Sequence, residues 1–276
     1  MESTLAPGDT SAVRLSLLLL LLAGTACVPQ PVAWSETAAL GDGALADTLR
    51  LVLDATGRPA FVPAWTPPAW PDEPAACAAS FRAVRSPDGA AYASWFAIRP
   101  DSSVVLRVAR SDSGGRVWNT PVTADSTDVG TAGCARPVPF LAADSLNGYV
   151  HVAYHLVARE GAGLFFTHSM ERGALWHEPV PIVYGDRPSR AAVASRGDTV
   201  VVVYEDPNSR LPRVGMALSR TQGHIFEARP PVSEDNGEST GPQVAVRGGR
   251  VAVVWTASQR GGRWPRTVQR EGTLTW

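Results

Sequence analysis

From Cys77 onward the chain alternates short apolar runs with glycine-bearing turns, and no stretch carries a helical period. Apolar runs at Ser80–Val84, Val138–Ala142, Ala191–Ala194 and Gln243–Val246 each lead into a turn signal: Pro87-Asp88-Gly89, Asn147-Gly148, Gly197-Asp198 and Gly248-Gly249. A second run follows each turn and holds one bulky aromatic, Trp95, Tyr154, Tyr204 or Trp255. Runs of this length bounded by Gly, Asn, Asp and Pro predict strands, because such side chains fit a pleated surface and glycine reaches positive φ at low cost. About fifteen residues after each aromatic, room for a loop and one more strand, a further feature recurs.

That feature is the frame Ser-x-polar-x-Gly-x-x-aromatic. It is formed by Ser111, Ser113, Gly115 and Trp118, then by Ser169, Glu171, Gly173 and Trp176, then by Ser219, Thr221, Gly223 and Phe226. A fourth copy is suggested by Gln269, Glu271 and Trp276, with Thr273 in the glycine's place. The serine and the polar residue two places on can accept bonds from turn amides, and the aromatic anchors the turn to a core. A period near fifty residues with three to four short strands per unit predicts an all-β fold, a β-propeller of four to six blades.

Ahead of the repeats, residues 28–76 are rich in Ala, Pro and Trp. Leu49–Leu53 and Ala60–Trp65 flank a turn signal at Asp54–Gly57 and predict a hairpin, and Pro63–Pro74 reads as an extended connector. Trp34-Ser35-Glu36 followed by Thr37–Leu40 resembles the segments after the turn motifs, Trp118–Val122 and Trp176–Val180. An N-terminal strand is therefore expected to complete the last unit.

The frame resembles the Asp-box, or BNR repeat, of the sialidase-like β-propeller superfamily, over residues 77–276. The resemblance implies short antiparallel blades with the motif on their outer rim, where it carries no catalysis. No copy keeps the aspartate, since Ser113, Glu171 and Thr221 replace it. Sialidases of this superfamily use three arginines on a substrate carboxylate, a tyrosine activated by glutamate, and an aspartate acid/base. Of the stretch that usually bears the first arginine, Phe81-Arg82-Ala83-Val84 keeps two residues, and no catalytic arginine is assigned to it.

Ligands of propellers gather where the first strands meet the central channel. Candidate ligand-binding residues there are Arg136 and Arg187, in matching Arg-Pro pairs, with Tyr184, Asp186 and Arg190 beside the second and Glu238 ahead of the last unit. Two inward arginines could hold a carboxylate or sulfate; the competing reading is solvated loop arginines with local carboxylate partners. Tyr204-Glu205-Asp206 is assigned to packing and a following loop. His151 and His155 share one face of a strand without an evident third ligand, and no Cys/His spacing resembles a zinc site, so no metal or cofactor is expected.

Composition narrows the partners. The formal net charge is −1 and every basic residue is arginine, which gives no electrostatic reason to expect nucleic acid. Arg14, the apolar run Leu15–Ala23 and the small residues before Cys27 form a targeting segment over residues 1–27. A cysteine in that place resembles the bacterial lipobox and implies a lipid anchor, and Val28 implies outer-membrane sorting; an ordinary cleaved signal is the alternative. In an oxidising compartment Cys77 and Cys134 could pair, or remain buried thiols. The expected role is noncatalytic binding of a glycan or envelope protein, with a sialidase-type glycoside hydrolase and a structural envelope component as alternatives.

Overall fold

The computed structural model describes residues 32–259 and 265–274; Cys27, the targeting segment and Trp276 lie outside them. Apart from a 3-10 turn at Ala78–Ser80, the described chain is strand, turn and loop. Two short strands, β1 (Ala33–Trp34) and β2 (Ala38–Asp42), come first, followed by a hairpin of β3 (Leu49–Leu53) and β4 (Pro59–Pro63). Sheet I contains β5 (Arg82–Arg85), β6 (Ala91–Ile98), β7 (Val104–Ser111) and β8 (Val122–Asp125). Sheet II contains β9 (Phe140–Ala143), β10 (Val150–Ala158), β11 (Gly161–Ser169) and β12 (Val180–Tyr184). Sheet III follows with β13 (Ala191–Arg196), β14 (Thr199–Glu205), β15 (Val214–Ser219) and β16 (Glu227–Arg229), and sheet IV with β17 (Gly237–Arg247), β18 (Arg250–Gln259) and β19 (Arg266–Thr273). Sheets I to III are antiparallel meanders in chain order, whereas sheet IV takes its outer strands from the start of the chain: both β1 and β2 pair with β19.

The apolar runs of the second strands show why the sheets stack. In β14, Val200, Val201, Val202 and Val203 are all fully buried, so the usual in/out alternation is lost. Val200 and Val202 pack with Phe166 and Leu164 of sheet II, while Val201 and Val203 pack with Val251 and Val253 of sheet IV. In β10, Val150, Val152 and Tyr154 face sheet I, and Ala153 faces sheet III. In β18, Ala252 and Val254 meet Leu51 and Leu53 of the hairpin. Each burial of a valine-sized side chain contributes about 1.5–3 kcal/mol, and both faces of each middle strand collect it.

The turn frame has one geometry in all three copies. Ser111 Oγ accepts from Gly115 N at 2.9 Å, Ser169 Oγ from Gly173 N at 2.9 Å and Ser219 Oγ from Gly223 N at 3.0 Å. Those glycines take φ of 85°, 84° and 98°. The residue before each, Gly114, Arg172 or Gln222, is also left-handed, which the sequence did not announce. At Gly115 the need for glycine is also steric, because a Cβ would stand 2.9 Å from Trp65 and Pro67 of the connector. Trp118 Nε1 donates to the connector's Ala69 carbonyl at 2.7 Å, tying sheet I to the N-terminal segment. The expected fourth copy is corrected by register. Gln269 and Glu271 lie inside β19, and Gly272 pairs with Val251, four residues ahead of Trp255, as Ser111 pairs with Ala91, four residues ahead of Trp95, so Gly272 occupies the frame's first place and Thr273 is not its glycine position.

The N-terminal hairpin is held by side chains as well as by its core. Gln243 Oε1 accepts from Leu51 N at 2.8 Å and its Nε2 donates to Leu49 O at 2.9 Å. The connector returns to sheet I through Cys77, whose amide donates to Phe96 O at 2.7 Å. A disulfide joins Cys77 to Cys134 across 57 residues, with Cα atoms 5.4 Å apart. In the chain-entropy account a closed loop of that size stabilises by about 4 kcal/mol. The double variant Cys77→Ser, Cys134→Ser is therefore expected to lose about 4 kcal/mol of unfolding free energy in urea. An unchanged denaturation midpoint would refute that contribution.

Candidate functional site

The first strands β3, β5, β9, β13 and β17 converge on one cavity of about 730 Å³. First strands lining a shared cavity, with later strands stacked outward, is the organisation of a β-propeller. Apolar wall comes from Val84, Phe140, Leu141, Val193 and Val244, and charge comes from Arg50, Arg82, Arg136 and Arg190 against Asp47 and Glu205.

The arginines differ in what holds them. Arg136 is engaged by the fold: its guanidinium is ion-paired with Asp128, with side chains 2% and 4% exposed. Its Nε donates to Gly133 O at 2.8 Å, and the group lies 5.1 Å above the Phe96 ring. His155 beside this pair is held below the usual imidazole range by burial first and by the Arg136 charge second. Arg82 donates to Phe81 O at 2.8 Å and otherwise faces the cavity. Burial lowers its guanidinium pKa; the Asp47 carboxylate opposes that shift and the Arg190 charge adds to it. Arg50 is open to the cavity's solvent yet ringed by protein atoms, and burial likewise lowers its pKa. Glu205, at the end of β14, is oriented by backbone amides: Oε1 accepts from Gly241 N at 2.8 Å and Oε2 from Arg190 N at 3.5 Å.

That clamp has a local cause. Between Thr240 and Gln243 the pairing of β17 with β18 shifts register, and Gly241 (φ 59°) and Pro242 occupy the shift. Proline cannot donate to a ladder, so a bulge is where a strand tolerates it. The amide freed at Gly241 turns to Glu205. Three cavity-facing guanidiniums, with Arg136 neutralised by Asp128, then stand against two carboxylates, one of them committed to amides. The chemistry offered is that of an anion receptor with an apolar floor.

Several expected site residues are placed elsewhere. Arg187 is exposed and donates to the carbonyls of Asp206, Pro207 (3.0 Å) and Ser209, bracing the loop after β14. Tyr184 closes β12 at the outer edge of sheet II, its ring edge-on to Phe165 at 5.9 Å. Asp186 is exposed in the loop after it. Glu238 does not precede the last first strand; it lies within β17 opposite Ser258, because the long β18 extends that pairing past the bulge. Arg136 and Arg190 do reach the cavity. Sequence reasoning missed Arg50, Asp47 and Glu205 and set Arg82 aside. The available signals were that Arg82 lies in the first-strand run Ser80–Val84 and that Glu205 directly follows the aromatic of a second run.

No family model and no curated protein matches the chain. Among solved structures, it is similar to the Hadza microbial sialidase Hz136 at 16% identity, covering 68% of this chain and 45% of that one, with a TM-score of 0.47. It is similar to the GH93 α-L-arabinofuranosidase of Fusarium graminearum at 14% identity, covering 76% and 65%, with a TM-score of 0.49. It is also similar to a protein of unknown function from Dyadobacter fermentans at 13% identity, covering 87% and 99%, with a TM-score of 0.41. The chain thus spans less than two thirds of the first two structures' lengths, and no activity follows from likeness at this level.

The two kinds of cavity arginine separate by experiment. Arg136→Ala strands a buried Asp128 and is expected to cost about 3–5 kcal/mol of stability. Arg82→Ala and Arg190→Ala leave no buried carboxylate stranded and should change stability by less than about 1 kcal/mol. Equal losses in urea denaturation for all three would refute this assignment.

Proposed function

We propose that the chain is a cell-envelope β-propeller lipoprotein that binds an anionic ligand, an acidic sugar or the acidic end of a glycan, in its central cavity without turning it over. The observation that carries this reading is the set of cavity-facing guanidiniums of Arg50, Arg82 and Arg190 above an apolar floor. Arg82 lies close enough to Arg190 for that charge to add to the lowering of its pKa, and an incoming carboxylate or sulfate would oppose that effect. Such groups accept bidentate bonds from arginine, and the apolar wall suits a sugar ring's less polar face.

Sheets I to IV serve as four blades, with the β3–β4 hairpin as a reduced fifth. The three Ser-Gly turns serve as Asp-boxes in which the hydroxyls of Ser113 and Thr221 take the aspartate's part. Ser113 Oγ accepts from Val117 N at 2.8 Å and Thr221 Oγ1 from Ile225 N at 2.9 Å.

Binding is favoured over sialidase chemistry by what lines the cavity. Among its described lining residues there is no tyrosine. The Tyr154 hydroxyl is instead buried as a donor to Asp125 at 2.8 Å, its pKa raised by burial and by the Asp125 charge. Tyr204 is packed under Gly215, with its pKa pushed up to about 12 by burial and Asp206.

Calorimetry with N-acetylneuraminic acid, a sulfated sugar and neutral galactose tests the reading. The acidic sugars should bind and galactose should not. Arg82→Ala and Arg190→Ala should each weaken binding about tenfold or more, and Arg187→Ala should leave it unchanged. Lack of binding by any acidic sugar would sink the proposal, and release of fluorophore from a sialoside by folded protein would replace it with the hydrolase reading. For the anchor, Cys27→Ser should move the expressed protein from the membrane to the soluble fraction; retention in the membrane would exclude lipidation at that residue.

A further inference from the structure

Away from the cavity, at the turn-bearing ends of sheets II and III, three histidines meet. His168 is the penultimate residue of β11, immediately before the frame serine Ser169. His177 follows Trp176, the aromatic that ends the same frame; its amide donates to His168 O at 3.0 Å and its carbonyl accepts from Thr167 Oγ1 at 2.6 Å. His224 belongs to the next sheet's frame, following Gly223, and its amide donates to Thr221 O at 3.0 Å. All three backbones are therefore fixed by sheet or turn bonds.

The rings converge. Centroids of His168 and His177 are 4.4 Å apart, those of His168 and His224 4.7 Å, and those of His177 and His224 5.3 Å. One ring nitrogen from each residue lies within 4.8 Å of the others. His168 is 3% exposed and forms the inner end of the group, while the other two rings are exposed. Its Nε2 is buried with no hydrogen-bond partner. A buried imidazole nitrogen without a partner is uncommon, because its desolvation is uncompensated. The turn of sheet III packs directly on this part of sheet II: a Cβ at Gly223 would lie 2.5 Å from the Phe166 ring and 3.6 Å from His168 Nδ1.

We propose that His168, His177 and His224 form a binding site for a divalent transition-metal ion of the zinc class, with a fourth position facing solvent. Three imidazoles suit zinc, copper and nickel, and exclude the oxygen-seeking calcium and magnesium. Tetrahedral coordination at about 2.0–2.1 Å places ligand nitrogens about 3.3 Å apart. To ligate, the His177 ring, now stacked 7° from parallel on His168, and the His224 ring, now edge-on to it, would turn about their side-chain bonds, and both are exposed. The ion would cross-link β11 of sheet II to the turn of sheet III. The fourth position would remain for water or an incoming donor.

The test uses tag-free, EDTA-dialysed protein, titrated with Zn²⁺ by calorimetry and with Co²⁺ by visible absorption. The wild type should take up one equivalent of Zn²⁺, raise its Tm on doing so, and give Co²⁺ the intense visible bands of a four-coordinate site. His177→Ala and His224→Ala replace exposed side chains, so their metal-free Tm should match the wild type. Each should weaken Zn²⁺ binding at least about tenfold, since the loss even of a group that only orients a metal ligand costs that much. Binding of the same strength in both variants, or no uptake of Zn²⁺ or Co²⁺ by the wild type, would overturn the site and leave the three rings as a packing cluster.

Discussion

A four-stranded sheet whose middle strands are apolar on both faces cannot be stable alone, and that constraint organises the molecule. Val200 and Val202 need sheet II, and Val201 and Val203 need sheet IV. Sheets II and III therefore each take a sheet on either face, sheet IV takes sheet III and the hairpin, and sheet I takes sheet II and the segment that precedes it; the stack curves because twisted sheets packed face to face are rotated with respect to one another. Curvature brings the first strands together and leaves the cavity between them. The cavity is thus a by-product of how the cores are satisfied: Arg82 at the start of β5 and Arg190 just ahead of β13 both line it because those strands are innermost.

Features set by local chemistry were legible in the chain. The Ser-Gly turns could be read because a serine hydroxyl reaches an amide four residues on whatever surrounds it. The aromatics of the second strands could be read because each sits at a fixed distance from its turn. The cavity was less legible, since facing it depends on register and ring position. Arg136 and Arg187 have the same Arg-Pro context, yet one meets a buried aspartate and the other a row of loop carbonyls. Glu205 looked like the start of a loop because the amide that orients it, at Gly241, comes from another sheet. The fourth turn was misplaced by three residues because composition favours Gln269 while pairing favours Gly272.

The histidines show the same divide. His151 and His155 drew attention by sharing a strand face, whereas His168, His177 and His224 meet only because a turn of one sheet packs on a strand of the next. The structural motif and the proposed metal site share residues in sequence but not purpose. The frame's serine and glycine make the bend, and the variable places beside them are free to carry other chemistry.

The pairing of Ala33 with Thr273 joins nearly the two ends of the described chain in a single sheet. Contacts of such separation form late, because the entropy of closing the intervening loop must be met before they contribute. As the polypeptide is synthesised, β1 and β2 emerge first and have no sheet to join until β19 exists. Sheets I to III can assemble from neighbouring segments meanwhile, and the last event is expected to be the capture of the earliest strands by the latest one. An interruption at that stage would expose the open edge of β19, the kind of unpaired strand from which edge-to-edge aggregation begins.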